Sequence, residues 1–243
     1  MIYLFQVEIN TVEKAKKFQY SIVSIKQNDK EPVLRFLRQY FFQDEPLNVA
    51  VNLLDTPDAR CYELEQFCTD LILEGASIMA VSQTGEILGV CLNSISRRPT
   101  AFDKDENEEE CPNPKFRKIV HLLTSVTKQA DIYGRFPVES VLNIEIVSVS
   151  DTVRGQGIAK VLILKSRDMA SEMGIPLIEV LCTSYFSAKA AKRIGFECVY
   201  ELAYRDHLDA NGQPVFVPDY PHNVVRVFVM STSTFFRSRS LTQ

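Results

Sequence analysis

The sequence predicts an α/β (α+β) fold, a single mixed central β-sheet flanked by helices. Three observations predict it. Short segments rich in β-branched residues alternate with segments at helical spacing along the 243-residue chain. Strand candidates adjoin as hairpins early and late, whereas the middle reads strand–helix–strand, the unit that makes neighbouring strands parallel. Composition is that of an ordinary globular chain, 46% hydrophobic and 24% charged, with enough apolar material for a sizeable core.

The elements follow in order. Tyr20–Ile25 alternates and is β-rich, a first strand. Asp29-Lys-Glu-Pro32 reads as a helix entry, since proline is tolerated in the first turn, and Val33, Leu34, Phe36, Leu37, Tyr40 and Phe41 keep helical spacing up to Pro46. A second helix is expected over Arg60–Glu74, closed by Gly75. Ser77–Ser82 and Glu86–Ile95 read as strands joined by a turn at Gln83-Thr-Gly-Glu86. Residues 97–114 hold three prolines and the acidic run Asp103–Glu110, the mark of an exposed insertion loop. Lys115–Tyr133 returns to helical periodicity. Leu142–Val149 is a strand, Gly157–Met173 a helix ending at Gly174, Leu177–Cys182 a strand, and Ser187–Ile194 a helix ending at Gly195, with Ser187 its candidate N-cap. Phe196–Tyr204 and Val224–Met230 are late strands. No repeat and no Gly/Ser linker divides the chain, so residues 1–243 are expected to form one domain, with 231–243 a flexible, polar and basic tail.

Charge and cysteine usage exclude several function classes. With 27 basic and 31 acidic side chains the net charge is -4, which argues against a nucleic-acid face but leaves room for a local basic pocket. Met1–Phe5 is too short an apolar start for a signal peptide, and nowhere do 18 apolar residues run together, so a cytoplasmic protein without a membrane span is expected. The six cysteines (61, 68, 91, 111, 182, 198) form no C-x-x-C pair and have no histidine at metal spacing. They read as reduced thiols, with no metal expected.

The segment with most chemistry is a strand running into Arg154-Gly155-Gln156-Gly157-Ile158-Ala159 at a helix start. Two glycines permit unusual backbone angles, and the free N–H groups of a first helical turn, with the helix dipole, favour an anion. Behind the loop, Ile158, Val161, Leu162 and Met169 form the stripe that should pack on the sheet. The loop lacks the Gly-Lys-Ser/Thr ending of a nucleotide-hydrolysing P-loop and the G-x-G-x-x-G of a dinucleotide site. Taken alone it is also compatible with a helix start that merely needs glycine.

Strand, R-G-Q-G-I-A, helix, strand and then Ser187-Ala-Lys-Ala-Ala-Lys-Arg-Ile-Gly195-Phe196 closely resembles the GNAT acetyltransferase superfamily, strongly over residues 142–205 and in element order elsewhere. The resemblance implies the GNAT fold, with a splayed strand pair that makes a slot for the coenzyme A arm. It implies that Val147, Ser148 and Val149 meet acetyl-CoA through main-chain groups. Arg154, Gly155, Gln156, Gly157, Ile158, Ala159 and Lys160 would wrap its pyrophosphate, with Ser187 beside the thioester. Tyr40-Phe-Phe-Gln-Asp-Glu-Pro-Leu-Asn48, the pair Thr183 and Ser187, and Pro221-His222 before the final strand further resemble the insect arylalkylamine N-acetyltransferases. That likeness implies Glu45 as a water-relayed general base, with Ser187 and Thr183 completing the catalytic set, and a small arylalkylamine such as dopamine, tyramine, serotonin or octopamine as acceptor. Tyr40, Phe41 and His222 would line its pocket. A monomer needing acetyl-CoA and an amine, without nucleic acid or membrane, is expected.

The chain departs from the pattern in two places. Thr183 stands where the insect group has serine, and Ala191 stands four residues before Gly195 where many GNAT enzymes carry a proton-donating tyrosine. Either Ser187 or solvent would then serve the leaving thiolate. Each residue also has a plain structural reading: Glu45 a solvated carboxylate at a helix end, Ser187 a cap, and Phe36, Tyr40, Phe41 and Phe42 a helix's core face, of which one or two would face substrate. His121 reads as a surface or packing histidine. Cys182, close to the expected thioester, offers an acyl-cysteine route, but no base is spaced to activate it. The Asp103–Glu110 run reads as a solvated loop or as a funnel for agmatine and polyamines. The alternatives to an arylalkylamine acetyltransferase are the same chemistry on agmatine, a polyamine or a longer acyl-CoA, an acyl-CoA-binding protein with weak catalysis, and, third, a protein-lysine acetyltransferase, against which the aromatic acceptor side argues.

Overall fold

The computed structural model describes residues 19–56, 58–100 and 111–232. The apolar start Met1–Phe5, the acidic run Asp103–Glu110 and the chain from 233 lie outside the described residues. One sheet of seven strands is ordered β1-β2-β3-β4-β5-β7-β6, built from β1 (Tyr20–Ser24), β2 (Ile78–Ser82), β3 (Ile87–Arg97), β4 (Ser140–Val149), β5 (Leu177–Cys182), β6 (Glu197–Ala203) and β7 (Val224–Ser231). All neighbours are antiparallel except β4 and β5. Those two are parallel because helix α6 (Ile158–Glu172) carries the chain back between them.

Helices cover both faces. On one lie α1 (Lys30–Tyr40), α2 (Pro46–Ala50), α3 (Tyr62–Leu73), α4 (Pro114–Ala130) and α5 (Ile132–Arg135), whose Val33, Leu37, Leu47, Leu71 and Leu122 bury against Val90, Leu92, Val141 and Val227 of the sheet. On the other lie α6 and α7 (Tyr185–Ile194), which seat Ile158, Leu162, Ala188 and Ala191 on Leu88, Leu142, Ile178 and Phe228. The central strands are buried at successive positions, β3 from Leu88 to Asn93 and β5 from Leu177 to Val180, because both faces of the sheet are covered. Val161 departs from its expected place in the α6 stripe: it is 38% exposed, on the flank of the helix rather than under it.

The end of α1 is fixed by charge. Arg38 bonds the Glu65 carboxylate of α3 through Nε at 3.0 Å and Nη2 at 2.7 Å, and Arg60 bonds the same carboxylate. Burial would raise the Glu65 carboxyl, but Arg60 and Arg38 outweigh it and hold it down at about 2. This clamp sets where the chain leaves α1 and therefore where residues 41–48 lie.

Several expected boundaries shift for identifiable reasons. The Lys115–Tyr133 helix is two, because Asp131 turns left-handed (φ 44°) and its carboxylate accepts from Gly134 N at 3.2 Å, starting α5. A short helix, α2, follows the turn at 41–44, where the sequence reading had only the end of α1. In the expected insertion loop, Arg97 still belongs to β3 and Pro114 already opens α4, whose cap Asn113 accepts from Lys115 N and Phe116 N. Two residues expected in the tail are held: Ser231 pairs with Leu177 at the end of β7, and Thr232 bonds Pro176 O and Ile175 O.

Candidate active site at the splay of two strands

The parallel pairing of β4 with β5 runs only from Val141↔Leu177 to Ile144↔Val180. Beyond it β4 continues to Val149 and β5 to Cys182 without pairing. The cause lies in β4, where the register against β3 jumps from Asn93↔Ile144 to Leu92↔Ile146 and leaves Glu145 as an extra, bulged residue. A bulge bends its strand, so the two strands part and the main chain of 146–149 faces the gap on the β5 side. An extended, amide-bearing arm fits such an edge as an added strand would. Val147 and Val149 turn their side chains to the α6 face. Ser148 is buried on the other, its hydroxyl donating to Tyr40 O at 3.1 Å.

At the mouth of this gap the loop 154–157 leads into α6. Gly155 (φ 80°) and Gly157 (φ 83°) are both left-handed, and space is open where their side chains would be. The first intrahelical bond is Val161 N to Gly157 O at 3.1 Å, so the N–H groups of Ile158, Ala159 and Lys160 precede it and face outward at the positive end of a helix of fifteen residues. Gln156 and Lys160 are exposed beside them. Ile158 is buried, so it offers the cradle only its N–H. Arg154 is exposed, bonding Val149 O at 3.3 Å and pairing with Asp44 at 3.2 Å, which ties this loop to the turn after α1.

That turn delivers Glu45. It is no solvated helix-end group but the N-cap of α2: Oε2 accepts from Asn48 N at 2.7 Å, while Oε1 is buried with no hydrogen-bond partner. Asn48 is itself buried and donates to Phe42 O at 3.0 Å, which locks the turn. Burial raises the Glu45 carboxyl, opposed by the Asn48 N–H, the nearby Thr183 hydroxyl and the Leu47 N–H. A carboxylate with one free oxygen and a raised affinity for protons is what a general base at neutral pH needs.

Around it the end of β5 and the start of α7 gather the remaining hydroxyls. The Thr183 hydroxyl acts on Glu45, and its carbonyl accepts from the Tyr204 hydroxyl at 2.7 Å. Tyr204 is buried, and burial, then the Glu45 charge, push its hydroxyl up. The expected cap role of Ser187 belongs to Ser184, whose Oγ accepts from Ser187 N at 2.9 Å. Ser187 sits inside the first turn, exposed, its Oγ donating to Ser184 O at 3.0 Å. The Cys182 thiol is buried and pushed up to about 12 by that burial, so it is no thiolate and the acyl-cysteine route loses its nucleophile. His222 Nδ1 accepts from Tyr185 N at 3.2 Å, and its ring lies 5.6 Å from that of Phe186. Of the aromatic residues around the end of α1, Phe36 and Phe42 are core, leaving Tyr40 and Phe41 half-buried. His121 stands apart, exposed on α4 with its ring 5.9 Å from that of His207.

Three residues of this region carry no signal in the sequence motifs. Tyr204 reads only as the last residue of a strand. Glu145 and Glu179 are single charges within the apolar runs of β4 and β5. A lone carboxylate inside an apolar strand is the signal that could have found both.

No family profile matches the chain. Solved structures do. Arylalkylamine N-acetyltransferase 2 from Aedes aegypti is 35% identical, with 88% of this chain matched to 100% of that one at a TM-score of 0.84. A Drosophila melanogaster polyamine N-acetyltransferase, described as forming N-acetylagmatine, is 26% identical over 88% of this chain and 100% of that one at 0.78. An agmatine N-acetyltransferase is 25% identical over 87% and 99% at 0.78. With the open mixed sheet, the bulged and splayed strand pair and the glycine loop at α6 on the same frame, this chain belongs to the insect arylalkylamine N-acetyltransferase family of GNAT acyltransferases.

Proposed function

We propose that this chain, as one catalytic domain, moves the acetyl group of acetyl-CoA directly to the primary amine of a small arylalkylamine. The observation that carries the proposal is Glu45, buried beside the strand splay with one carboxylate oxygen unpartnered. The main-chain edge of 147–149 would hold the acetyl-pantetheine arm, and Arg154 to Lys160 the pyrophosphate. An alkylamine arrives protonated, with a pKa of about 10 by analogy with lysine. Glu45 takes its proton through a water. The freed nitrogen then forms a C–N bond to the thioester carbon and sheds its surplus proton to solvent as the C–S bond breaks, and the sulfur gains a proton from solvent directly or through Ser187, which solvent reprotonates.

The arylalkylamine class is supported by the 35% match and by Tyr40, Phe41 and His222 near the site. A second reading, an amine bearing another positive charge, is favoured by the two carboxylates on β4 and β5. Thiol release from acetyl-CoA with tyramine or dopamine tests the activity. Acetyl-CoA binding without release on any amine would instead support the weakly catalytic binding protein.

A further inference from the structure

We propose that Glu145 and Glu179 form a cation subsite on the α1–α5 side of the strand splay, which favours the second acceptor reading above, an amine carrying a second, remote positive charge, over the arylalkylamine. The proposal rests on the acetyltransferase reading for the position of the reacting nitrogen.

The two residues meet because of the bulge. Asn143 lies opposite Glu179 in the parallel register, and Glu145 is the extra residue two positions on. Val141 and Leu177 belong to the α1–α5 side of the core, and strand alternation places Asn143 and Glu179 on that side too, where Glu45 stands. Glu179 is 8% exposed and, among the described residues, its carboxylate makes no hydrogen bond or ion pair. Glu145 Oε1 accepts only from Ser94 Oγ at 2.7 Å, and Ser94 in turn accepts from Asn143 Nδ2 at 3.1 Å. Glu145 is exposed at the surface of the bulge, and the protein packed around it raises its carboxyl.

Among the described residues no cation forms an ion pair with either carboxylate. Arg98 spends its guanidinium on the carbonyls of Val138, Tyr133 and Phe136 and on an ion pair with Glu139. Glu74 adds a further negative charge that raises Glu145. Burial, then the Glu145 charge, push the Glu179 carboxyl up to about 7. A buried carboxylate beside an exposed one, with no ion pair to either among the described residues, is unfavourable alone, and an entering cation relieves both the desolvation of Glu179 and the mutual repulsion. A guanidinium, with its fork of donors, matches a carboxylate best.

The spacing sets the length of that amine. Thr183, the residue after β5, is four residues from Glu179, about 13 Å at ~3.3 Å per residue of extended chain. With a water relay at the Glu45 end and a hydrogen bond at the Glu179 end, the remainder suits two charges separated by a chain of about four methylenes.

The test compares agmatine with n-pentylamine, of similar length but without the second charge, by kcat/KM in wild type, Glu179→Gln and Glu145→Gln. The wild type should favour agmatine, and each variant should lower the agmatine-to-pentylamine ratio at least tenfold, mainly through KM. An unchanged ratio in variants that still bind CoA overturns the proposal, as does a wild type that acetylates pentylamine or tyramine with no preference for agmatine. If no amine is acetylated, the acetyltransferase reading fails separately. Calorimetric titration of agmatine into the CoA complex then decides the subsite, supported by binding weakened tenfold in Glu179→Gln and overturned by no binding. Should Glu179→Gln not fold, Glu145→Gln carries the same comparison.

Discussion

Replacing Glu45 by Gln separates chemistry from architecture. Gln is nearly isosteric, and its carbonyl oxygen can keep the 2.7 Å bond from Asn48 N that caps α2. What it loses is the ability to take a proton, for which removal of a general base costs about 10²–10⁴-fold in turnover. Stability should move the other way. The folded carboxyl is raised by burial, so its protonated form folds without penalty below the ordinary carboxylate range. The penalty of burying the charge then appears as pH rises through the folded value. Gln carries no such charge, so the variant should gain stability relative to wild type with rising pH. The gain is limited to about 1–3 kcal/mol, the cost of an unsatisfied buried group. Thiol-release assays give the first quantity, and urea unfolding at pH 4 and pH 8 gives the second. Wild-type turnover in the folded variant would refute the base assignment. A stability difference independent of pH would refute the claim that a buried, partly unpartnered charge sits there.

Three further outcomes follow from the same geometry. Gly157→Ala forces a side chain onto φ 83° with open space around it, so the cost is backbone strain alone, about 1–2 kcal/mol, read as a lower Tm together with a several-fold higher KM for acetyl-CoA; an unchanged KM would remove the loop from cofactor binding. Glu65, held at about 2 against an ordinary 4.5, contributes about 3 kcal/mol that is present above the ordinary value and lost as pH falls toward 2. Glu65→Gln should therefore flatten the acid limb of the stability profile, and an unaltered limb would contradict the clamp. Ser187→Ala should lower kcat only a few-fold, because solvent also reaches the exposed first turn of α7; a loss as large as that of Glu45→Gln would make Ser187 the required acid.

The frame was readable where local pattern and tertiary demand agree. Amphipathic spacing in Val33–Leu37 and Ile158–Leu162, and punctuation by Gly75, Gly174 and Gly195, place the main helices within a few residues. The features that make the site were harder to read, each for a physical reason. Helix α2 has five residues, too few to show a period, so Glu45 looked like the end of one helix rather than the cap of the next. Ser184 and Ser187 both precede a helical run, and only the geometry shows which oxygen reaches an N–H. The bulge at Glu145 is a property of two strands together, because an extra residue exists only relative to the partner β3. Without the bulge, Glu145 and Glu179 are isolated charges in different strands, and their proximity is a product of register.

The central claim is that this chain moves an acetyl group from acetyl-CoA to a primary amine. It is tested most directly by initial rates of CoA thiol release with tyramine, dopamine, serotonin, histamine, agmatine and spermidine, each product verified by mass as the N-acetyl amine. The account predicts saturable release with at least one of them, at one thiol per acetylated amine, and its near-complete loss in Glu45→Gln. Acetyl-CoA bound by a folded protein with no release on any amine would contradict it.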